Sequence, residues 1–187
     1  MYPKHEAVVA WALAKVGLSE NPPGSNRGEF VQFTQSQTWL KGTGWPWCAA
    51  FVVAAIQEGG GVKYPDPTAG AWDLLSRGAK RGWALPANSK LVVPGDIVVF
   101  NIGSGHTGIV TRVTTNQVFS VDGNAGDAVR QCARPLSQVR GFVHWPENLP
   151  ARAKSPKWQV VGSASGRRKL VVAGKAISLP SSKDKVT

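Results

Sequence analysis

The order of the hydrophobic patterns along the chain constrains its fold most. Up to about residue 77, apolar residues recur three and four positions apart, the spacing that places side chains on one face of an α-helix. From about residue 91, short runs rich in Val, Ile, Phe and Thr are separated by Gly, Asn, Asp or Pro at intervals of roughly ten residues. Helical segments followed by short strands predict an α+β fold with an antiparallel sheet.

Four helices are predicted in the first part of the chain. In the first, the apolar face consists of Val9, Ala12, Leu13 and Val16, and Gly17 is a stop signal. The other three are expected at about residues 28–37, 48–56 and 68–77. Five strand-like runs follow, LVVPGDIVVF, HTGIVTRV, QVFSVD, AVRQC and GFVHW. The sheet is therefore expected to have about five strands.

The composition changes after Pro150 and suggests a boundary between a domain of residues 1–150 and a basic extension of residues 151–187. The first part carries 13 Lys and Arg against 10 Asp and Glu, whereas the extension carries nine against one. Such a segment attracts polyanions. Three alternatives are open for the extension. It is disordered, or it forms a hairpin or a short amphipathic segment around Trp158 and the later apolar run, or it is a docking element. The partners expected for docking are an anionic wall polymer, the outer membrane, lipid or a virion protein. No nucleic-acid motif is present, so specific nucleic-acid binding is not expected.

The sequence gives no sign of a membrane span or an export signal. No apolar stretch reaches the length of a transmembrane helix. The opening MYPKHEAVVAWALAKVG has a helical period and too short an apolar run for a signal peptide. We therefore expect synthesis in the host cytoplasm.

Cys48 is a candidate nucleophile. It follows a Trp-Pro-Trp loop and stands at the expected start of a helix. The unpaired N–H groups at a helix start favour a thiolate and can bind an oxyanion. The alternative is a small buried residue in a core helix. The only other cysteine, Cys132, lies in a strand-like run, where we expect a structural role.

Two further positions complete a candidate catalytic site. His106 lies between glycines where a loop enters a strand, and it has the chemistry to take a thiol proton and return it to a leaving amine. Asp122 and Asn124 are two residues apart, so in an extended chain they point to the same side and either one is suited to orient His106. A plain Asp-Gly turn is the alternative.

Five segments taken together resemble the CHAP amidohydrolase/peptidase family over roughly residues 5–146. They are WPWCAAFV, PGDIVVF, GHTGIV, VDGNAGDAV and GFVHW. The resemblance implies a papain-like α+β fold with the Cys-bearing helix packed on an antiparallel sheet. It implies Cys48 as nucleophile, His106 as base and Asp122 or Asn124 as the partner of His106. It further implies that the substrate is bacterial peptidoglycan, cut as an N-acetylmuramoyl-L-alanine amide or within the peptide stem or crossbridge.

No metal or cofactor is expected. Some CHAP enzymes bind calcium through acids around the Cys, but the flanks KGTGWPW and AAFVV contain none. No Cys/His cluster has zinc-ligand spacing. Substrate contacts are expected from three tryptophans close to Cys48 in the sequence or the expected fold, namely Trp45, Trp47 and Trp72.

The resemblance favours a phage endolysin or virion-associated lysin, which would reach the wall through a holin pore or with the particle; injection as an effector is a third route. Two other functions remain open. One is a papain-like protease or deamidase that acts on proteins. The other is a non-catalytic virion or wall-binding protein, against which the intact Cys, His, Asp and Asn set argues.

Overall fold

The computed structural model describes residues 2–152 and, beyond them, the backbone of three strands at 159–162, 168–172 and 175–178. The chain divides into two compact units, Met1–Arg152 and Ala153–Thr187. None of the helices described is long and apolar enough to cross a membrane.

The first unit contains four α-helices before a six-stranded sheet, which is the expected α+β order. The helices are α1 Pro3–Leu13, α2 Glu29–Gln35, α3 Cys48–Ala54 and α4 Ala71–Lys80; a π-helical turn, Ala55–Gly59, continues α3. The strands are β1 Ala84–Leu85, β2 Ile97–Phe100, β3 His106–Val113, β4 Gln117–Asp122, β5 Arg130–Pro135 and β6 Val139–Val143.

The sheet is antiparallel throughout, in the order β1-β6-β2-β3-β4-β5. Strands β2 to β5 form the expected meander, and β6 returns to the other side of β2. The sixth strand, β1, has two residues and pairs with the outer side of β6. An element this short has no sequence period, which is why sequence analysis did not anticipate it.

The face that α1 buries differs in part from the expected one. Ala12 is fully buried as expected, but Val8 is fully buried too, whereas Leu13 is exposed and ends the helix. His5 is the third fully buried residue of this helix. A histidine does not count as apolar in a hydrophobic pattern. The spacing of the apolar residues therefore predicted a buried face shifted by about one residue from the face that the structure buries.

Helix α3 is the central element of the unit, because it is buried on every side. All residues from Ala49 to Ala55 have no solvent exposure. Full burial of side chains such as Phe51 stabilises the fold by about 1.5–3 kcal/mol each. Small residues at four of these positions let α2 and the sheet approach α3 closely. The start of α3 is thereby held rigidly against the sheet.

The second unit is a three-stranded antiparallel sheet in the order β7-β8-β9. Its strands are β7 Gln159–Gly162, β8 Arg168–Val172 and β9 Lys175–Ser178. Strand β7 overlaps the first apolar run of the basic extension, WQVV, and strands β8 and β9 overlap the second, KLVVAGKAISL. Trp158 lies outside the described residues.

Candidate active site

Cys48 is the first residue of α3 and is buried, with 6% of the residue exposed. Pro46 and the non-helical backbone of Trp47 end the preceding loop, and the first helical hydrogen bond runs from Phe51 N–H to the carbonyl of Trp47, at 2.8 Å. The backbone N–H groups of the first turn therefore have no acceptor within the helix. Cys48 lies close enough to His106 to raise the pKa of its ring, through a side-chain hydrogen bond and through charge.

His106 is the first residue of β3 and faces both Cys48 and the sheet. Its Nε2 lies 2.9 Å from Oδ2 of Asp122, the last residue of β4. That contact leaves Nδ1 as the ring nitrogen available to the thiol. The ring also stacks on Phe100, its cross-strand neighbour, with centroids 6.2 Å apart and planes at 26°. The imidazole is thus fixed from two sides.

Asp122 reaches His106 because position 108 has no side chain. Ile109 pairs with Val121 across β3 and β4, so Asp122 lies opposite Gly108. His106 and Gly108 are two residues apart and share one face of β3. A Cβ on Gly108 would overlap Oδ1 of Asp122. The glycine after the histidine therefore makes room for the carboxylate beside the imidazole.

Arg134 is the residue of this site that sequence analysis missed. It lies on β5, and its Nη1 donates to Oδ2 of Asp122, the oxygen that also faces His106. Its guanidinium packs over the ring of Phe100, 4.9 Å from the centroid. Asp122 is fully buried, so this cation offsets part of the cost of burying its charge. No local motif marks Arg134; only the pairing of β4 with β5 brings it here.

Cys132 lies in the same neighbourhood. Burial raises the pKa of its thiol; Asp122 raises it further and Arg134 lowers it. The thiol donates to the backbone carbonyl of Arg130 at 3.9 Å. The residue is free, as is Cys48.

The environment of His106 favours its protonated form. Burial alone lowers the pKa of the imidazole, but the hydrogen bonds and charges of Asp122 and Cys48 outweigh that effect and raise the pKa to about 9. At neutral pH the ring is therefore an imidazolium held between a carboxylate and a sulfur.

Asn124 does not point toward His106, in contrast to the expectation that ranked it beside Asp122. Its backbone is left-handed, with φ of 57°, so the chain turns after β4 instead of staying extended. Its amide lies 3.2 Å from Oδ1 of Asn26. Oriented to donate to Oε1 of Glu20 at 3.1 Å, it accepts from the backbone N–H of Trp47 at 3.2 Å. Asn124 thus braces the loop that leads into Cys48.

The three tryptophans have different surroundings. Trp47 is fully buried and donates from Nε1 to Oε1 of Glu20 at 2.9 Å, so it is a core residue and the expectation that it lines a groove is wrong. Trp45 is half-buried. Trp72 is 41% exposed and donates from Nε1 to the carbonyl of Phe100 at 3.3 Å. A Cβ on Gly105 would lie 2.9 Å from that nitrogen, so Trp72 packs against the residue before His106.

One group of side chains in the described part of the chain has the composition of a metal site, namely His5, Asp96 and His144. They come from three segments far apart in the sequence. A search for ligand spacing is blind to such a set, which explains why none was expected.

The arrangement at Cys48 is that of a nucleophilic hydrolase. A thiol, an imidazole and a carboxylate are linked in that order, and unpaired N–H groups lie at the start of the helix that carries the thiol. Residues 40–125 match the family model of the CHAP domain. The matched range includes Cys48, His106, Asp122 and Asn124. No curated protein matches the chain.

Proposed function

Because the chain carries a CHAP domain, we propose that it is a cysteine-dependent hydrolase of bacterial peptidoglycan. A CHAP domain implies amidase or peptidase chemistry. The bond cut is an amide, either the N-acetylmuramoyl-L-alanine bond or one within the peptide stem or crossbridge. The observation that carries the proposal is the continuous contact from Cys48 through His106 to Asp122.

The reaction begins from a thiolate of Cys48 and the imidazolium of His106. The raised pKa of His106, about 9, supports this pairing at neutral pH. The sulfur attacks the amide carbonyl, and the carbonyl electron pair moves to oxygen. Backbone N–H groups in the first turn of α3 stabilise the oxyanion, because they have no acceptor within the helix.

Collapse of this intermediate breaks the C–N bond. The imidazolium gives its proton to the leaving amine, which departs neutral and leaves a thioester on Cys48. Neutral His106 then takes a proton from water, and the hydroxide attacks the thioester. The C–S bond breaks, the acid product leaves and the thiolate–imidazolium pair is restored.

Asp122 acts by orienting His106 and stabilising its positive charge. The 2.9 Å contact with Nε2 fixes which ring nitrogen faces the sulfur. Trp72 and Trp45 are proposed to contact the sugar or peptide stem, since both are accessible and Trp72 packs beside the residue that precedes His106.

We also propose the setting and the role of the basic extension. The resemblance to the CHAP family supports a lysin that is made in the host cytoplasm and reaches the wall through a holin pore or with the virion. The nine cationic residues of 151–187, against a single acid, support docking to an anionic wall polymer, outer-membrane lipid or virion protein. If so, deletion of residues 151–187 weakens retention on walls and spares the cleavage of soluble fragments.

The deciding experiment is digestion of purified peptidoglycans by the wild type and by Cys48→Ala, with mass spectrometry of the released fragments. Wild type alone should release fragments. A new lactyl carboxyl paired with an L-alanine amine would identify an amidase, and new ends within the peptide would identify an endopeptidase. Release of fragments by both proteins, or by neither from walls of several chemotypes, would refute the proposal.

A further inference from the structure

A second cluster of polar side chains lies at the opposite end of β2 from the Phe100–His106 pair. Asp96 immediately precedes β2, and His144 immediately follows β6. Ile97 pairs with Val143, so the two side chains are neighbours across the sheet. His5 of α1 joins them, and the ligand atoms of all three lie within 4.8 Å of one another. His5 and Asp96 are fully buried, and the side chain of His144 is 30% exposed.

The orientation of the His5 ring is set by Glu147. Oε1 of Glu147 accepts the backbone N–H groups of Lys4 at 2.7 Å and His5 at 3.1 Å, so it caps the start of α1. The same oxygen lies 3.3 Å from Nδ1 of His5. The ring is held flat against Trp145, with centroids 4.0 Å apart and planes at 5°. In a neutral imidazole, Nδ1 then carries the proton and donates a hydrogen bond to this fixed carboxylate.

That proton places a lone pair on Nε2 of His5, which faces a second carboxylate. Nε2 is buried without a hydrogen-bond partner among the described residues, although Oδ1 of Asp96 is 3.3 Å away. Two electron pairs facing each other in a buried site repel unless a positive group lies between them. The same Asp96 oxygen lies 2.8 Å from Nδ1 of His144, so three donor atoms converge on one point.

We propose that His5 Nε2, Asp96 Oδ1 and His144 Nδ1 bind a zinc ion. Two imidazoles and one carboxylate are a ligand set that zinc accepts, with a solvent molecule in the fourth position. Zinc–nitrogen bonds of about 2.0–2.1 Å put tetrahedral ligands about 3.3 Å apart. The donor separations of 2.8 and 3.3 Å around Asp96 are close to that value.

The charges and the second shell also fit a divalent cation. Asp96 and Glu147 together supply two negative charges, which balance those of the ion. Glu147 hydrogen-bonds to the remote nitrogen of His5, an arrangement that orients zinc-binding histidines and raises their basicity. The exposed edge of His144 gives the site access to solvent. Bound zinc would tie α1 to the ends of β2 and β6, far from the thiol.

The test measures zinc binding to the full-length chain with Cys48→Ala and Cys132→Ser in place, so that no thiol contributes. Zinc per chain is counted by mass spectrometry of the metal after dialysis, affinity is measured by calorimetry, and the melting temperature is followed with zinc and with a chelator. We expect one zinc per chain and a higher melting temperature with zinc than with the chelator.

The chain has three histidines, which provides a matched control. His144→Gln, at a partly exposed position, should abolish stoichiometric binding, and His5→Gln should do the same if it folds. His106→Gln should keep one zinc per chain. Glu147→Gln, which can still accept the N–H groups of α1, should weaken binding by about 10- to 100-fold. The proposal fails if the parent binds no zinc, if His144→Gln retains it, or if His106→Gln loses it.

Discussion

Arg134 shares a carboxylate oxygen of Asp122 with the imidazole of the proposed base. Its Nη1 donates to Oδ2, and the same oxygen lies 2.9 Å from Nε2 of His106. Two cationic groups therefore compete for one buried anion. Arg134 holds Asp122 in place, and its charge limits how strongly the carboxylate favours the protonated imidazole.

The first prediction concerns the alkaline limb of the pH–activity profile. Activity that needs an imidazolium falls as pH rises through the pKa of His106, about 9. Asp122→Asn removes the anion that raises this pKa, so the limb should move to lower pH. Arg134→Gln removes the competing cation, so the limb should move to higher pH. The measurement is kcat/KM against pH on a soluble wall fragment.

Opposite shifts in these two variants are the distinguishing result. A purely structural role for Arg134 would lower activity at every pH without moving the limb. Arg134→Lys keeps the charge and should leave the limb near its wild-type position, although the shorter, single-point donor packs less well over Phe100. Movement of the limb in the same direction in Arg134→Gln and Asp122→Asn would contradict the proposed competition.

The second prediction concerns the nucleophile. Cys48→Ala should reduce turnover by a factor on the order of a thousand or more, because the thiol and imidazole act as a unit. Cys48→Ser should recover little of this loss, since a serine hydroxyl is a far weaker acid than a thiol. Cys132→Ser is the matched control and should keep most of the activity, because Cys132 neighbours Asp122 and is not the residue that attacks the substrate. Equal losses in the two single-cysteine variants would argue against Cys48 as the nucleophile.

The third prediction concerns Gly108. A methyl group at this position overlaps Oδ1 of Asp122, so Gly108→Ala should lower the free energy of unfolding by about 1–3 kcal/mol and displace the carboxylate from His106. Gly24→Ala provides a comparison without steric overlap, because the added Cβ meets nothing within 4 Å; its φ of 73°, unlike the backbone of the β3 residue Gly108, is itself unfavourable for Ala. Urea denaturation and fragment release are measured on both. A Gly108→Ala enzyme with wild-type kcat would show that the fit between Gly108 and Asp122 is not needed.

The fourth prediction is a loss of stability with rising pH. The pKa of His106 is raised from 6.5 to about 9 in the folded chain, so protonation favours folding. Protonation of His106 contributes at most about 3 kcal/mol to the free energy of unfolding. The full contribution is present below pH 6.5, and it is lost as the pH rises to about 9.

The measurement is the free energy of unfolding in urea at about pH 6, 7.5 and 9.5 for wild type and for His106→Gln. The difference between the two proteins should shrink from the lowest to the highest pH. Asp122→Asn should reduce the same dependence. A difference that stays constant with pH would mean that His106 is not held as an imidazolium in the folded protein.

Much of the fold followed from local patterns. Strands β2, β3 and β4 end where their runs of β-branched and aromatic residues end, because side-chain shape and turn residues act over a few positions. The proximity of Cys48 and His106 was expected from the family resemblance together with their settings at a helix start and a strand start. In the structure Cys48 is close enough to His106 to raise the pKa of the imidazole.

The partner of His106 was decided by a single backbone angle. In an extended chain Asp122 and Asn124 point to the same side, but the left-handed backbone at Asn124 turns its amide toward Glu20 and the loop before Cys48. Residue type alone did not distinguish the two. Trp47 was likewise placed by packing: its indole is buried and bound to Glu20, although its loop position suggested a groove.

The sequence by itself determined the order of helices and strands, the position of the thiol at a helix start and the position of the imidazole at a strand start, since each depends on neighbouring residues. Only the tertiary structure decided that Arg134 contacts Asp122 and that His5, Asp96 and His144 meet at one point. These contacts depend on strand register and on the packing of α1 against the sheet. Both arise from the summed burial of many side chains, a quantity that no local motif encodes.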